Sequence, residues 1–133
     1  MADKGAERLR ARQARGAASR LHGRRQEVIA ALWLMAKGYR ILGFRLKTPH
    51  GEIDLVAQKG AVLAVVEVKS RATMEQALEA VSPAQWARLE RAGLALAAGR
   101  PGLMRLNVRL DMVALAPGRR PRHIADACSA NRA

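Results

Sequence analysis

The sequence predicts one α/β domain with the element order helix, three strands, helix, strand. Three observations carry this: an apolar-periodic stretch over residues 22–37, three consecutive strand signals over residues 39–70, and a well-marked helix start at Ser82 followed by one more strand. The chain has 133 residues, half of them apolar. That is enough for one core and hardly for two.

Residues 1–20 are rich in Ala, Arg and Gly without an apolar stripe, and read as a basic, flexible arm with some helical tendency. The first helix is expected over residues 22–37, with Val28, Ile29, Leu32, Met35 and Ala36 at three- and four-residue spacings and Gly38 placed to end it. Ala30, Ala31, Trp33 and Leu34 make it apolar nearly all round, so it should be well buried. Strands follow over 39–47, 52–58 and 61–70, with Thr48-Pro49-His50-Gly51 closing the first and Lys59-Gly60 as the hairpin turn between the next two. The second helix has Ser82 as N-cap, Pro83 at its first position and Gln85 completing a capping box. Its core stripe is Trp86, Leu89, Gly93 and Leu96. A last strand covers residues 106–116, and the PGRRPRHI segment supplies a basic loop with room for a short edge strand. The domain then spans residues 21–125, with 126–133 as a tail.

Lys and Arg number 24 against 11 Asp and Glu, for a net charge of +13, and 19 of the 24 are Arg. Such an excess points to a polyanionic partner, nucleic acid before an acidic membrane surface. Arg predominance suits bidentate phosphate contacts; a GC-rich genome would produce the same bias. Four aromatics are too few for a base-stacking sheet. A lone cysteine, Cys128, excludes a disulfide framework and a cysteine zinc site, and a reducing cytoplasm is the expected location. The amino terminus has no apolar core of the secretory kind, and the longest apolar run is too short to span a bilayer.

Acids inside apolar strands are where chemistry is to be sought, because a buried charge is costly unless paired or bound to a cation. Glu67 and Lys69 end the most apolar strand and share a face. With Lys59-Gly60 at the centre of the hairpin, Glu52 faces Glu67 and Asp54 faces Val65, so Asp54 and Glu67 are diagonal neighbours on one face. Three carboxylates this close repel one another unless a cation intervenes. Oxygen-only ligands suit Mg²⁺ or Mn²⁺ rather than zinc. Lys69 can orient or help deprotonate an attacking water and balance charge on a phosphate. This is the equipment of metal-assisted phosphodiester hydrolysis.

The runs GEIDLVA (Gly51 to Ala57) and VVEVKSR (Val65 to Arg71) resemble the signature of the uncharacterised bacterial YraN family, also called UPF0102. That family is placed in the PD-(D/E)xK nuclease superfamily and resembles archaeal Holliday-junction resolvases. Glu27, eleven residues before Gly38-Tyr39-Arg40-Ile41-Leu42, together with Ala80-Val81-Ser82-Pro83 and Arg109-Leu110-Asp111, extends the likeness over residues 23–125. The resemblance implies a restriction-endonuclease-like core, a central mixed sheet flanked by helices. It implies Asp54 and Glu67 as metal ligands, Lys69 as the catalytic lysine and Glu27 as the acid from the first helix. Glu52 is carried with Lys69 as a candidate catalytic residue. Arg71, Arg45, Lys47, Arg24 and Arg25 are candidate phosphate contacts. Two positions depart from the family pattern, which has Asn where Arg45 stands and Lys where Gln85 stands. The resemblance leaves open a homodimer of the kind resolvases form, and it favours DNA over RNA as the partner.

Rival readings attach to the same residues. Glu67 and Lys69 make an acceptable structural ion pair, Glu27 a first-turn acid favoured by the helix dipole, and Glu52 a surface acid beside a turn. Asp111 with Arg109 reads as a structural pair on the last strand, Trp86 as core, and the scattered His22, His50 and His123 as non-ligands. The functional alternatives are a catalytically silent nuclease-like module that binds nucleic acid in DNA processing, and a basic scaffold meeting ribosomal RNA or lipid.

Overall fold

The computed structural model describes residues 3–130. A long helix α1 (Lys4–Ala36) opens the chain and three antiparallel strands follow: β1 (Arg40–Thr48), β2 (Gly51–Lys59) and β3 (Val62–Ser70). Next come a short helix α2 (Met74–Leu78), the helix α3 (Pro83–Gly99) and a 3₁₀ turn at Pro101–Leu103. Strand β4 (Asn107–Leu115) runs parallel to β3, the edge strand β5 (Arg122–Ile124) pairs antiparallel with β4, and α4 (Ala127–Ala130) ends the described chain. The sheet order is β1-β2-β3-β4-β5. The β3-to-β4 crossover carries α2 and α3 over one face, as a parallel connection requires. The expected mixed sheet flanked by helices is what forms, an α/β architecture consistent with a restriction-endonuclease-like core.

Alternation along the strands divides the apolar residues between two layers. Leu63, Val65, Leu110 and Met112 meet Trp86, Leu89 and Leu96 of α3 on one face, while Ala64, Val66, Val113 and Leu115 meet Ala30, Ala31 and Leu34 of α1 on the other. Trp86 is 2 % exposed, a core residue as its place in the stripe suggested. The capping box of α3 closes as read: Ser82 Oγ accepts from the Gln85 amide at 3.2 Å, and Gln85 Oε1 accepts from the Ser82 amide at 2.7 Å. Such a cap contributes about 1 kcal/mol.

Three expectations are corrected. The first helix starts at Lys4 rather than His22, with Asp3 capping it through a 2.9 Å bond from the Gly5 amide. Ala, Arg and Gln are strong helix formers, so the helical register simply runs on toward the amino terminus. That helix is also not buried all round. Val28, Leu32 and Met35 are at least half exposed and Ile29 is 42 % exposed. The stripe at three- and four-residue spacing faces outward, and the small side chains of Ala30 and Ala31 are what let the helix lie close to the sheet. Finally, the β2–β3 turn is centred one residue later, on Gly60 and Ala61, with Lys59 opposite Val62 and Leu55 opposite Val66. Gly60 adopts φ +59°, a backbone that favours glycine. None of the described helices is long and apolar enough to cross a membrane.

Candidate metal-binding cleft

The corrected register brings the two principal acids closer than expected. The β2–β3 ladder ends at Leu55 opposite Val66, and the same count puts Asp54 directly across from Glu67. Beyond that point the Val68 amide donates to Asp54 Oδ2, at 2.9 Å, so a side chain takes the place of the next ladder bond. Glu67 Oε1 lies 3.3 Å from Lys69 Nζ. Burial pushes the Asp54 carboxyl above its ordinary value, against the Val68 hydrogen bond and the Lys69 charge. Burial also raises Glu67, and the facing Asp54 adds to the rise while Lys69 opposes it. Two carboxylates held together where water is scarce carry a deficit of positive charge.

Across β2 the opposing strand is distorted. Register shifts occur between Ile41 and Gly43, and Arg45, which the pairing count places opposite Asp54, has φ +48°. Left-handed backbone is uncommon for a bulky residue and easy for Asn, the residue that the resemblance leads one to expect there. The Arg45 side chain turns to Glu27 of α1, with Nε 3.2 Å from Oε1 and Nη2 2.5 Å from Oε2. Glu27 is 8 % exposed, and burial raises its carboxyl despite that fork of two bonds.

Together Glu27, Asp54, Glu67, Val68, Lys69, Ser70 and Arg71 line a cleft of about 320 Å³, closed on the α1 side by Ser19, His22, Gly23 and Gln26. The structure thus brings together Asp54, Glu67, Lys69, Glu27 and Arg71 from the sequence-derived set. Glu52 is exposed two residues before Asp54 on β2, close enough for its charge to raise both Asp54 and Glu27. Arg24 and Arg45 border a neighbouring hollow with Val28 and Phe44, sharing Glu27 with the cleft. Lys47 does not line the acid cleft. It sits opposite Glu52 and lines a separate depression with Pro49 and Arg100. Arg25 is exposed on α1 and lines neither.

Asp54 and Glu67 suit a hard divalent cation. Mg²⁺ binds through one or two carboxylates and keeps several waters for a substrate phosphate to share. Glu27 is engaged by Arg45 and stands behind these two. Among the described residues no group of three or more His, Cys, Asp or Glu side chains is set to hold a metal ion, Glu27 included.

Sequence reasoning missed Arg88. From α3 its Nη1 donates to the carbonyls of His50 (3.2 Å) and Glu52 (3.3 Å), and its charge lowers Asp54 and Glu67. A Cβ at Gly51 would lie 2.5 Å from that nitrogen, and Gly51 has φ +108°. The glycine of the GEID run is needed for the turn and for the arginine that clamps it. The signal available was a basic residue, one of two on α3, set between Trp86 and Leu89 of the core stripe.

The second charged cluster is structural. Asp111, fully buried on β4, accepts from Arg109 Nε and Nη2 at 2.8 Å each and from the Asp126 amide at 3.0 Å, with His123 Nε2 at 2.8 Å. Burial alone would raise its carboxyl, but these partners hold it below the ordinary value. Arg109 also reaches the Tyr39 hydroxyl at 2.6 Å. The expected pairing of Asp111 with Arg109 is present, and His123 from the edge strand completes it.

Comparison with known proteins places these residues in a family. Residues 26–115 match the model of "Uncharacterised protein family UPF0102", a span that includes every cleft-lining acid. A UPF0102 protein of Caulobacter sp. (strain K31) is 69 % identical over 121 residues, covering 91 % of this chain and 87 % of its own. One from Paramagnetospirillum magneticum (strain ATCC 700264 / AMB-1) is 52 % identical over 114 residues, covering 83 % and 88 %. Another, from Bradyrhizobium sp. (strain ORS 278), is 46 % identical over 105 residues, covering 79 % and 74 %. The chain belongs to the UPF0102 family.

Proposed function

We propose that this protein binds nucleic acid, DNA in preference to RNA, and hydrolyses its phosphodiester bonds with the help of Mg²⁺ or Mn²⁺ at the Asp54–Glu67 cleft. The observation that carries this reading is the pair of facing, largely buried carboxylates with Lys69 beside them, both raised by burial. Asp54 and Glu67 would hold the cation, which when bound polarises a phosphate oxygen and a water. Lys69 Nζ lies 3.3 Å from Glu67 Oε1, lining the cleft that the substrate would enter. There its ammonium orients the attacking water and stabilises charge growing on the phosphate oxygens. Arg71, exposed at the cleft rim, receives a neighbouring phosphate. Glu27 and Arg45 brace the α1 wall against β1, and Glu52 tunes the charge of both acids from outside.

A second reading keeps the binding and drops the turnover. It is favoured by one observation, the engagement of Glu27 by Arg45, which withholds a third acid from the cation. Purified protein incubated with Mn²⁺ and branched, flapped, linear duplex and single-stranded substrates separates the two. Cleavage of any of them that Asp54→Asn abolishes supports hydrolysis. Binding without product, by wild type and variant alike, supports the silent module.

A further inference from the structure

The first five turns of α1 carry Lys4, Arg8, Arg10, Arg12, Arg15 and Arg20 against two acids, Asp3 and Glu7. They pack against no core: among residues 3–20 only Ala6 and Gly16 are partly buried, and every other residue is exposed. Further along, the same helix supplies Ser19, His22, Gly23 and Gln26 to the wall of the acid cleft. At 3.6 residues per turn, Arg8, Arg12 and Arg15 fall within about 40° of Ser19 around the helix axis, and Lys4 within about 60°. Arg10 lies about 180° away and Arg20 about 100° away. The spacing 8, 12, 15, 19, 22, 26 is a single continuous stripe, basic at one end and cleft-lining at the other.

That stripe is unfavourable for the isolated helix. Arg8–Arg12 and Arg12–Arg15 put like charges at four- and three-residue spacing, which destabilises a helix, and no tertiary packing offsets it. A polyanion lying along this face would. We propose that Arg8, Arg12 and Arg15 form a rail that binds the phosphate backbone of a nucleic-acid duplex and leads it into the Asp54–Glu67 cleft. The inference rests on the nucleic-acid reading above and adds where the strand lies and from which side it enters. The three guanidinium positions and Ser19 rise along the axis in steps of about 6, 4.5 and 6 Å. The rail therefore extends the footprint by about 16 Å, roughly five base pairs at 3.4 Å each. It lies outside residues 26–115, the span of the family match.

The test compares two double variants with equal loss of charge on different faces: Arg8→Gln with Arg12→Gln, and Arg10→Gln with Arg20→Gln. Fluorescence anisotropy with a labelled 30-base-pair duplex in EDTA gives affinity at several salt concentrations, and far-UV circular dichroism confirms equal helix content. Two lost phosphate contacts flatten the slope of log K against log salt by about 1.8 and weaken binding on the order of 60-fold at 0.1 M salt. The Arg10/Arg20 pair should flatten the slope by less than about 0.5. Equal effects from both pairs, or none from either, overturn the rail. Loss of binding to phosphatidylserine vesicles in the Arg8/Arg12 pair, with duplex binding intact, moves the surface to a lipid partner and also overturns it. Because EDTA removes any metal, the outcome is independent of catalysis. Face-dependent binding without Mn²⁺-dependent cleavage sinks only the hydrolytic reading, and cleavage without face dependence sinks only the rail.

Discussion

Replacing Asp54 with Asn should make the metal-free protein more stable and the metal-loaded protein less so. Asp54 faces Glu67 across β2 and β3, where cross-strand side chains approach to about 5 Å. At an effective dielectric of about 20, two like charges at that distance repel by about 3 kcal/mol. The Lys69 and Arg88 charges, and the tighter hold of a carboxylate than of an amide on the Val68 N–H, offset about 2 kcal/mol. The net expected gain is about 1 kcal/mol, or about 3–5 °C in Tm for a chain of this size. The gain depends on pH with a definite sign. The Asp54 carboxyl is raised above 3.8 in the folded protein, so wild-type stability falls as pH climbs from there through the folded value. The variant's advantage grows over the same interval and vanishes below pH 3.8. Mn²⁺ at a hundred times its Kd would stabilise wild type by about 2.7 kcal/mol and the variant hardly at all, reversing the order. Differential scanning calorimetry at pH 7.5, in EDTA and in Mn²⁺, reads both states. A lower Tm for Asp54→Asn in EDTA would refute the repulsion argument and make Asp54 a structural cap for Val68. An equal Mn²⁺ increment in both proteins would refute the ligand assignment.

Three further outcomes are expected. Lys69→Ala should lose cleavage by about 100-fold or more while keeping Mn²⁺ affinity within about threefold at pH 8, since the ammonium acts on water and phosphate; a loss of Mn²⁺ affinity as large as that of Asp54→Asn contradicts the division of roles. Asp111→Asn should destabilise the fold by about 3–5 kcal/mol in urea unfolding, because Arg109 and His123 lose a buried partner. Since the Asp111 carboxyl is held below its ordinary value, its contribution is present above pH 3.8 and lost as pH falls through the folded value, so wild type and variant should converge in acid. Gly93→Ala would put a Cβ 2.9 Å from Val65 Cγ2 and 3.3 Å from Val108 Cγ1, where α3 meets the sheet. The cost should be about 1–3 kcal/mol with the cleft intact; a neutral effect on Tm would mean that β3 and α3 separate more easily than this packing implies.

Much of this architecture is legible in the residues because local and global signals agree. The α3 capping box, the apolar alternation of β3 and the helix–strand order each follow from short-range chemistry that the packed structure has no reason to override. The sequence leaves the hairpin centre ambiguous by one step because Lys59-Gly60 and Gly60-Ala61 are both workable turns. The same-face relation of Asp54 and Glu67 survives that shift, since moving the centre by one residue changes the pairing by two. The outward face of α1 is not legible in the sequence for a different reason. Periodicity locates an apolar stripe but not its direction, and here Ala30 and Ala31 allow the close approach while Val28, Leu32 and Met35 face away. The helix α2, five residues long, gives too short a pattern to register. Arg88 and His123 act through contacts 36 and 12 residues away in sequence, which no local pattern encodes.

The central claim is that Asp54 and Glu67 jointly hold one divalent cation. Isothermal titration of Mn²⁺ into the metal-free chain at pH 7.5, beside Glu67→Gln and Asp54→Asn, tests it without reference to any substrate. The account predicts one Mn²⁺ per wild-type chain, and binding lost in each variant. Wild-type binding that either variant retains at full affinity would contradict it.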